Sequence, residues 1–296
     1  MEDMNRPIPQ VTLPNFDKMW NYGDPAETEQ RFRAILPRAE VSHDVEYLAQ
    51  LLTQIARCEG LQGKFQASHS TLDTVEKLMS LNNLRLAKVR YLLERGRAFN
   101  SSGKPEAAKP LFLSAYELAD HLGEARYAID AVHMVAIAEP DPKDQVEWNL
   151  KGIAMCEADP TQKGWLHALL NNIGESYLAI KDYSRAYQSF HRLAQLQKES
   201  QGKADKYTVK DEAKALRLGG DAEKSLELIE PILKSLLDEG QDDGYIRQEY
   251  AEALYAVGRV NEAKPHFSKA FELLSIDSWA AQNDVEGIER AKRLSE

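Results

Sequence analysis

The sequence contains few of the residues that build disulfide frameworks, metal centres or membrane spans. Its two cysteines, Cys58 and Cys156, lie far apart and have no CxxC or CxxH neighbour, which argues against a disulfide framework and against a zinc site. The longest apolar stretch, 131–138, contains His133 and is far shorter than the roughly 20 residues that span a bilayer. The N-terminus lacks the basic start and apolar core of a secretory signal. We therefore expect a cytoplasmic protein that does not bind a membrane.

Positive charge is also scarce. The 37 Lys and Arg residues stand against 47 Asp and Glu residues, so the formal net charge is −10 at pH 7. Proteins that bind the phosphate backbone carry a basic surplus, and this balance therefore argues against a nucleic acid partner. Hydrophobic residues make up 43% and charged residues 28% of the chain, which is typical of a folded domain rather than of a disordered chain.

The known catalytic motifs are absent as well. The sequence has no GxSxG, no Walker phosphate loop, no HExxH and no GxGxxG. The acidic stretch 238–244 lacks the alternating ligands of a calcium loop, and the seven histidines have no metal-ligand spacing. We expect no catalytic residue, no metal ligand and no cofactor. An enzyme with a pocket that the sequence does not reveal is a remote alternative.

Two sets of glycines recur at a regular interval. The first set is Gly63, Gly103, Gly220 and Gly258, and the second, which falls between its members, is Gly123, Gly164, Gly202 and Gly244. Spacings in the first set are 40, 117 and 38 residues, and 117 is three times 39. The two missing positions fall at the polar turn 181–183 and at 140–142, which contains two prolines. Each period therefore holds two segments of helical length, which predicts a helical hairpin per period and no sustained strand.

Small and aromatic residues recur between these glycines. The clearest copy consists of Gly96, Phe99, Gly103, Ala108, Phe112 and Ala115, and another contains Gly174, Tyr177, Ala186 and Phe190. Small residues let the two helices of a hairpin approach closely, and aromatic residues fill the remaining space. The pattern resembles the tetratricopeptide repeat, although its period of about 39 residues exceeds the usual 34.

The resemblance implies an all-α fold, a right-handed α-α superhelix of about six helical hairpins with end caps. We predict a single solenoid domain at 24–294 that follows an extended N-terminal tail at 1–23. The tail offers Phe16, Met19 and Trp20 for packing on the first repeat or inside the groove. The repeats are predicted near 49–82, 89–122, 124–160, 167–200, 206–239 and 244–277, with an open register at 124–160, and a capping helix at 278–294.

In the family that the sequence resembles, the inner faces of the first helices of successive hairpins bind a partner. The corresponding positions give the predicted groove residues, which are Arg57, Arg90, Arg97, Asn100, Asn171, Glu175, Tyr207, Lys210, Lys214, Arg217, Tyr245 and Gln248. We predict a non-enzymatic scaffold or adaptor that binds a protein or peptide segment in a concave groove. The basic residues favour a partner of acidic character, and charge reversal at Arg57 and Arg97 is expected to weaken its capture. The alternative, that these residues are solvated and paired with Glu or Asp, stays open.

A second functional alternative is a regulatory sensor that responds to a ligand or peptide. Because contacts in such arrays are limited to neighbouring repeats, the arrays deform easily, and a bound ligand could close the superhelix. Self-association into a homo-oligomer is also left open by the sequence.

Overall fold

A computed structural model describes residues 12–296, and the predicted tail residues 1–11 lie outside this range. The described chain divides into two compact units at the boundary between Gln162 and Lys163. Residues 12–162 are called unit 1 and residues 163–296 unit 2. Within the described range the secondary structure is helical and contains no β-strand, so the predicted all-α class is confirmed. The prediction of one solenoid domain at 24–294 stays a prediction.

Unit 1 consists of consecutive antiparallel helices after a short 3-10 helix at Phe16–Met19. Its α-helices are α1 Pro25–Val41, α2 Val45–Leu61, α3 Phe65–Leu81, α4 Arg85–Ser101, α5 Pro105–His121, α6 Ala125–Ala138 and α7 Pro142–Ala158. Packing pairs α2 with α3, α4 with α5 and α6 with α7, and α2 also packs along α4. The unit is therefore a stack of helical hairpins in which the first helices are neighbours.

Unit 2 repeats the same hairpin arrangement. Its helices are α8 Leu166–Ala179, α9 Tyr183–Gln201, α10 Lys206–Leu218, α11 Ala222–Asp238, α12 Gly244–Ala256, α13 Val260–Leu274, α14 Ser278–Asn283 and α15 Val285–Ser295. A second 3-10 helix, Pro160–Trp165, lies at the boundary between the units. The segment 278–294 was predicted as one capping helix, but Asp284 separates it into α14 and α15, and Asp284 caps the second helix through the N–H of Gly287.

The hairpin turns explain the periodic glycines. Gly63, Gly103, Gly220 and Gly258 all adopt a positive φ of 73°, 79°, 93° and 84°, a conformation that costs little only for glycine. At one of the two missing positions of the series, Lys181 adopts the same conformation with a φ of 63°. The backbone N–H of Asp182 then donates to the carbonyl of Tyr177 at 2.9 Å, which closes the helix end in the manner of a glycine turn.

Four of the helices, α1, α5, α9 and α13, each place one phenylalanine fully in the core, whereas α3 and α11 place the aliphatic Leu72 and Ile229 there. Phe32, Phe112, Phe190 and Phe267 are all 0% exposed. The ring of Phe190 lies directly over Gly174, because a Cβ atom added at Gly174 would be 2.6 Å from its Cε1 and Cζ atoms. The predicted steric role of the small residues is therefore confirmed at this contact.

None of the helices among residues 12–296 is both long enough and apolar enough to cross a membrane.

Candidate functional site

A cavity of about 530 Å³ opens on unit 2 beside the first helices of its hairpins. Six of the predicted groove residues line it, namely Glu175, Lys210, Lys214, Arg217, Tyr245 and Gln248. The rest of the lining is Asp211, Glu249, Glu252, Trp279, Asn283 and Asp284. We call these residues the unit 2 cavity. The structure thus brings together half of the twelve predicted residues, since residues four apart on one helix, such as Lys210 and Lys214, share a face.

Most charges in the unit 2 cavity are already paired. Arg217 donates two hydrogen bonds to the carboxylate of Glu249, at 2.7 and 2.9 Å, and Lys210 lies 2.7 Å from Asp211. Desolvation lowers the pKa of the Arg217 guanidinium, but the hydrogen bond and charge of Glu249 outweigh this effect and raise it. Glu252 accepts from Arg290. The pairs of Arg217 with Glu249 and of Arg290 with Glu252 link different helices, while Lys210 and Asp211 lie on the same helix. None of these groups is available to a ligand without breaking a pair.

Lys214, Gln248 and Glu175 of the unit 2 cavity have no direct hydrogen-bond or ion-pair partner among residues 12–296. Lys214 and Gln248 are both half-buried. The neighbouring carboxyl of Glu175 has a raised pKa through desolvation and the charge of Asp211, an effect that Lys214 and Lys210 oppose. The lining contains more carboxylates than cations, and the charge of Lys214 acts on Glu175 and Glu249 without a direct ion pair. The cavity therefore offers one ammonium group without a direct partner rather than a positive field.

Three further predicted residues, Tyr207, Asn171 and Asn100, lie outside the unit 2 cavity. The hydroxyl of Tyr207 donates to Asp243 at 2.9 Å, and its ring packs edge-on against Tyr245 at 6.2 Å. Asn171 is exposed and Asn100 is half-buried.

Two of the predicted arginines of unit 1 join a charge network between α2, α4 and α6. Arg57 contacts Glu94 at 3.2 Å, and Arg97 contacts Glu94 at 2.7 Å and also pairs with Asp130. Desolvation lowers the pKa of Arg97, but Asp130 and Glu94 outweigh it and raise the pKa. The network borders a cavity of about 460 Å³ that Met134 also lines. The carboxylates neutralise these arginines within the fold.

The third arginine, Arg90, is buried by residues of the tail. It is 5% exposed and donates two hydrogen bonds to the carboxylate of Asp17, at 2.9 and 2.6 Å. Its guanidinium also lies over the rings of Phe16 and Tyr127, at 5.3 and 5.1 Å from their centroids. Asp17 was not among the predicted residues, because no spacing rule connects residues 73 positions apart.

Further contacts fix the rest of this segment on the first helices of unit 1. The indole N–H of Trp20 donates to the side-chain oxygen of Gln54 at 3.0 Å, and the ring of Trp20 stacks on Tyr22 at 4.7 Å. Tyr22 in turn lies under the guanidinium of Arg57 at 5.8 Å, while Phe16 packs edge-on against Phe32 at 6.2 Å. We call the surface formed by Gln54, Arg57, Arg90, Arg97 and Tyr127 the unit 1 groove.

The two cysteines are free and buried. Burial raises the pKa of the Cys58 thiol to about 12 and that of Cys156 to about 11, so neither is a reactive thiolate at neutral pH. Among the described residues, no group of three or more His, Cys, Asp or Glu side chains is placed to hold a metal ion.

Comparisons with known proteins identify the fold. No protein-family profile matches the chain, and no curated protein matches it in sequence. Among solved structures, a tetratricopeptide repeat protein from Parabacteroides merdae is similar with a TM-score of 0.53 and 15% identity, over 95% of each chain. BtubC from P. vanneervenii gives a TM-score of 0.57 and 12% identity, over 74% of this chain and 89% of its own.

A third similar structure consists of nearly identical TPR-like repeats from a putative kinesin light chain of Podosopora anserina. It gives a TM-score of 0.54 and 16% identity, over 64% of this chain and 95% of its own. The chain therefore has the tetratricopeptide-repeat type of fold, as the residue spacing predicted.

Proposed function

We propose that the protein is an interaction scaffold that binds an extended segment of another protein on the first helices of its hairpins. The observation that carries this proposal is the unit 2 cavity, which Lys214 and Gln248 line together with Tyr245 and Trp279. Neither Lys214 nor Gln248 has a direct polar partner among residues 12–296. Polar groups without internal partners, placed next to aromatic rings in a concave surface, are typical of sites that bind a partner.

The chemistry of the cavity suggests which parts of a segment it would bind. The Lys214 ammonium group can pair with one carboxylate of the partner, and the Gln248 amide can donate to and accept from a peptide backbone. Tyr245 and the exposed Trp279 offer flat apolar surface with few rotatable bonds. Because the surrounding carboxylates would repel a strongly acidic segment, we propose a partner that has one acidic side chain at this point.

Affinity capture followed by mass spectrometry tests the proposal. The full chain is compared with a Lys214→Glu, Gln248→Ala variant and with a control, Lys234→Glu, which makes the same charge change on the exposed part of α11. We expect the variant to lose a protein that the wild type and the control both capture. With that protein purified, the variant should bind at least about tenfold more weakly, as expected for about 1.4 kcal/mol of lost contacts. Equal capture by all three chains would refute the proposal.

A further inference from the structure

We propose that the unit 1 groove is a binding site for a partner segment in which an aromatic residue directly precedes an acidic residue, and that residues 12–22 of the chain occupy this site until such a segment displaces them. The inference deepens the proposed function, because it uses the same helical faces. It concerns unit 1 alone, and no outside partner is needed to test it.

The surroundings of Arg90 define what the site accepts. A buried guanidinium needs a carboxylate and further hydrogen-bond partners, and here Asp17 provides two parallel hydrogen bonds, the geometry that arginine favours. Phe16, the residue immediately before, covers the guanidinium with its ring at 5.3 Å. Any segment that replaces the tail must supply both groups, or it leaves a buried charge without a partner.

A second anchor lies a short distance further along the segment. Trp20 donates its indole N–H to Gln54 and packs against Phe32 at 5.3 Å. The 3-10 turn at Phe16–Met19 brings the two anchors onto the same surface. A displacing segment therefore binds most tightly when it also carries an aromatic residue with a hydrogen-bond donor three positions after its acidic residue, as Trp20 follows Asp17.

The segment is attached in a way that allows exchange. Phe16 is its one buried residue within 12–22, and Leu13, Met19 and Trp20 are partly buried against the same core. The Asp17 side chain is 31% exposed and Tyr22 is 61% exposed. By contrast, the hairpin residue Phe32 is 0% exposed. Segments with few buried apolar contacts open at a lower free energy than the core beside them, so the tail can leave while the hairpins stay folded.

The test uses the full chain and a labelled peptide with the sequence of residues 12–23, TLPNFDKMWNYG. Fluorescence anisotropy measures its binding to the wild type, to Asp17→Lys and to the charge-swapped Asp17→Lys, Arg90→Glu chain. In Asp17→Lys, repulsion from Arg90 releases the tail and leaves the groove free. We expect the peptide to bind this variant at least tenfold more tightly than the wild type, and a peptide with lysine in place of Asp17 not to bind it.

The charge-swapped chain is the matched control. The lysine that it carries in the tail is expected to pair with the glutamate that it carries in α4 and to close the groove again, so the peptide should bind it no better than the wild type. A milder variant, Phe16→Ala, removes the ring without adding charge and should give an intermediate gain. Far-UV circular dichroism verifies that each chain is folded. Equal binding to all chains, or no binding to the folded Asp17→Lys and Phe16→Ala chains, overturns the inference, whatever the capture experiment on unit 2 gives.

Discussion

The contact between Gly174 and Phe190 allows a quantitative test of how the hairpins pack. Replacing Gly174 by Ala adds one carbon atom in α8, 2.6 Å from two ring atoms of a side chain that is fully buried. Carbon atoms that are not bonded normally approach to about 3.5–4.0 Å. The ring must therefore move by about 1 Å, or the two helices must separate.

Two opposing effects set the magnitude. Overpacking of a filled core costs about 1–3 kcal/mol, whereas Ala in place of Gly inside a helix stabilises it by about 1 kcal/mol. We expect Gly174→Ala to lower the free energy of unfolding by about 1 kcal/mol. In a Phe190→Ala background the clash is absent, so the same substitution should raise the free energy of unfolding by about 1 kcal/mol. The sign of the effect therefore depends on residue 190.

Urea unfolding followed by circular dichroism measures all four chains of this double-mutant cycle. Gly60→Ala is the matched control, because Gly60 also lies in a helix but a Cβ there would meet only the Ser68 hydroxyl at an ordinary 3.8 Å. It should stabilise the protein by about 1 kcal/mol. If Gly174→Ala stabilised the wild-type chain, or changed both backgrounds equally within about 0.5 kcal/mol, the packing argument would be refuted.

Two further predictions concern local backbone and charge. Lys181→Gly should stabilise the protein by about 1 kcal/mol in thermal unfolding, because Lys181 holds a φ of 63° that is strained for a side chain with a Cβ. Asp243→Ala should destabilise it by about 1 kcal/mol at pH 7, since Asp243 caps α12. Desolvation raises the pKa of Asp243, but the hydrogen bonds from Lys206 and the α12 backbone outweigh this and lower it below its ordinary 3.8. The stabilisation that the Asp243 carboxylate contributes is therefore fully present above pH 3.8. It is lost as the pH falls through the lower pKa that Asp243 has in the folded protein, where the unfolding curves of the variant and the wild type should converge.

The fold could be predicted because its determinants are local and repeated. A turn that requires a positive φ selects glycine at Gly63 and Gly103, and a close helix contact selects a small residue at Gly174 opposite Phe190. Each of these constraints acts within one hairpin, so the same residue type returns in most periods. Lys181 shows the limit of this reasoning, since the turn persists there without the glycine that marks it elsewhere.

The pairing of charges could not be predicted in the same way. Helical spacing predicts the face of α4 on which Arg90 lies, but it does not predict its partner Asp17, which is 73 residues away in the sequence. The partner of Arg57 is Glu94, on another helix. Such pairs depend on how separate elements meet, and acidic residues have no period in this sequence that would reveal them.

The kind of cation decides which inner-face residues are suited to binding a partner. Arginine presents a planar group with several hydrogen-bond donors, which is suited to pairing with carboxylates inside the fold. Arg97, for example, lies between Glu94 and Asp130. Reversing its charge would place a third carboxylate beside two others in a partly buried site, and the loss of a buried partner alone costs about 3–5 kcal/mol. A capture experiment with Arg57 and Arg97 reversed would therefore report unfolding rather than recognition. Lys214 forms no ion pair within residues 12–296, but its charge opposes the raised pKa of Glu175 and of Glu249. A loss of capture on its reversal therefore counts as a loss of binding when far-UV circular dichroism shows that the Lys214→Glu chain is folded.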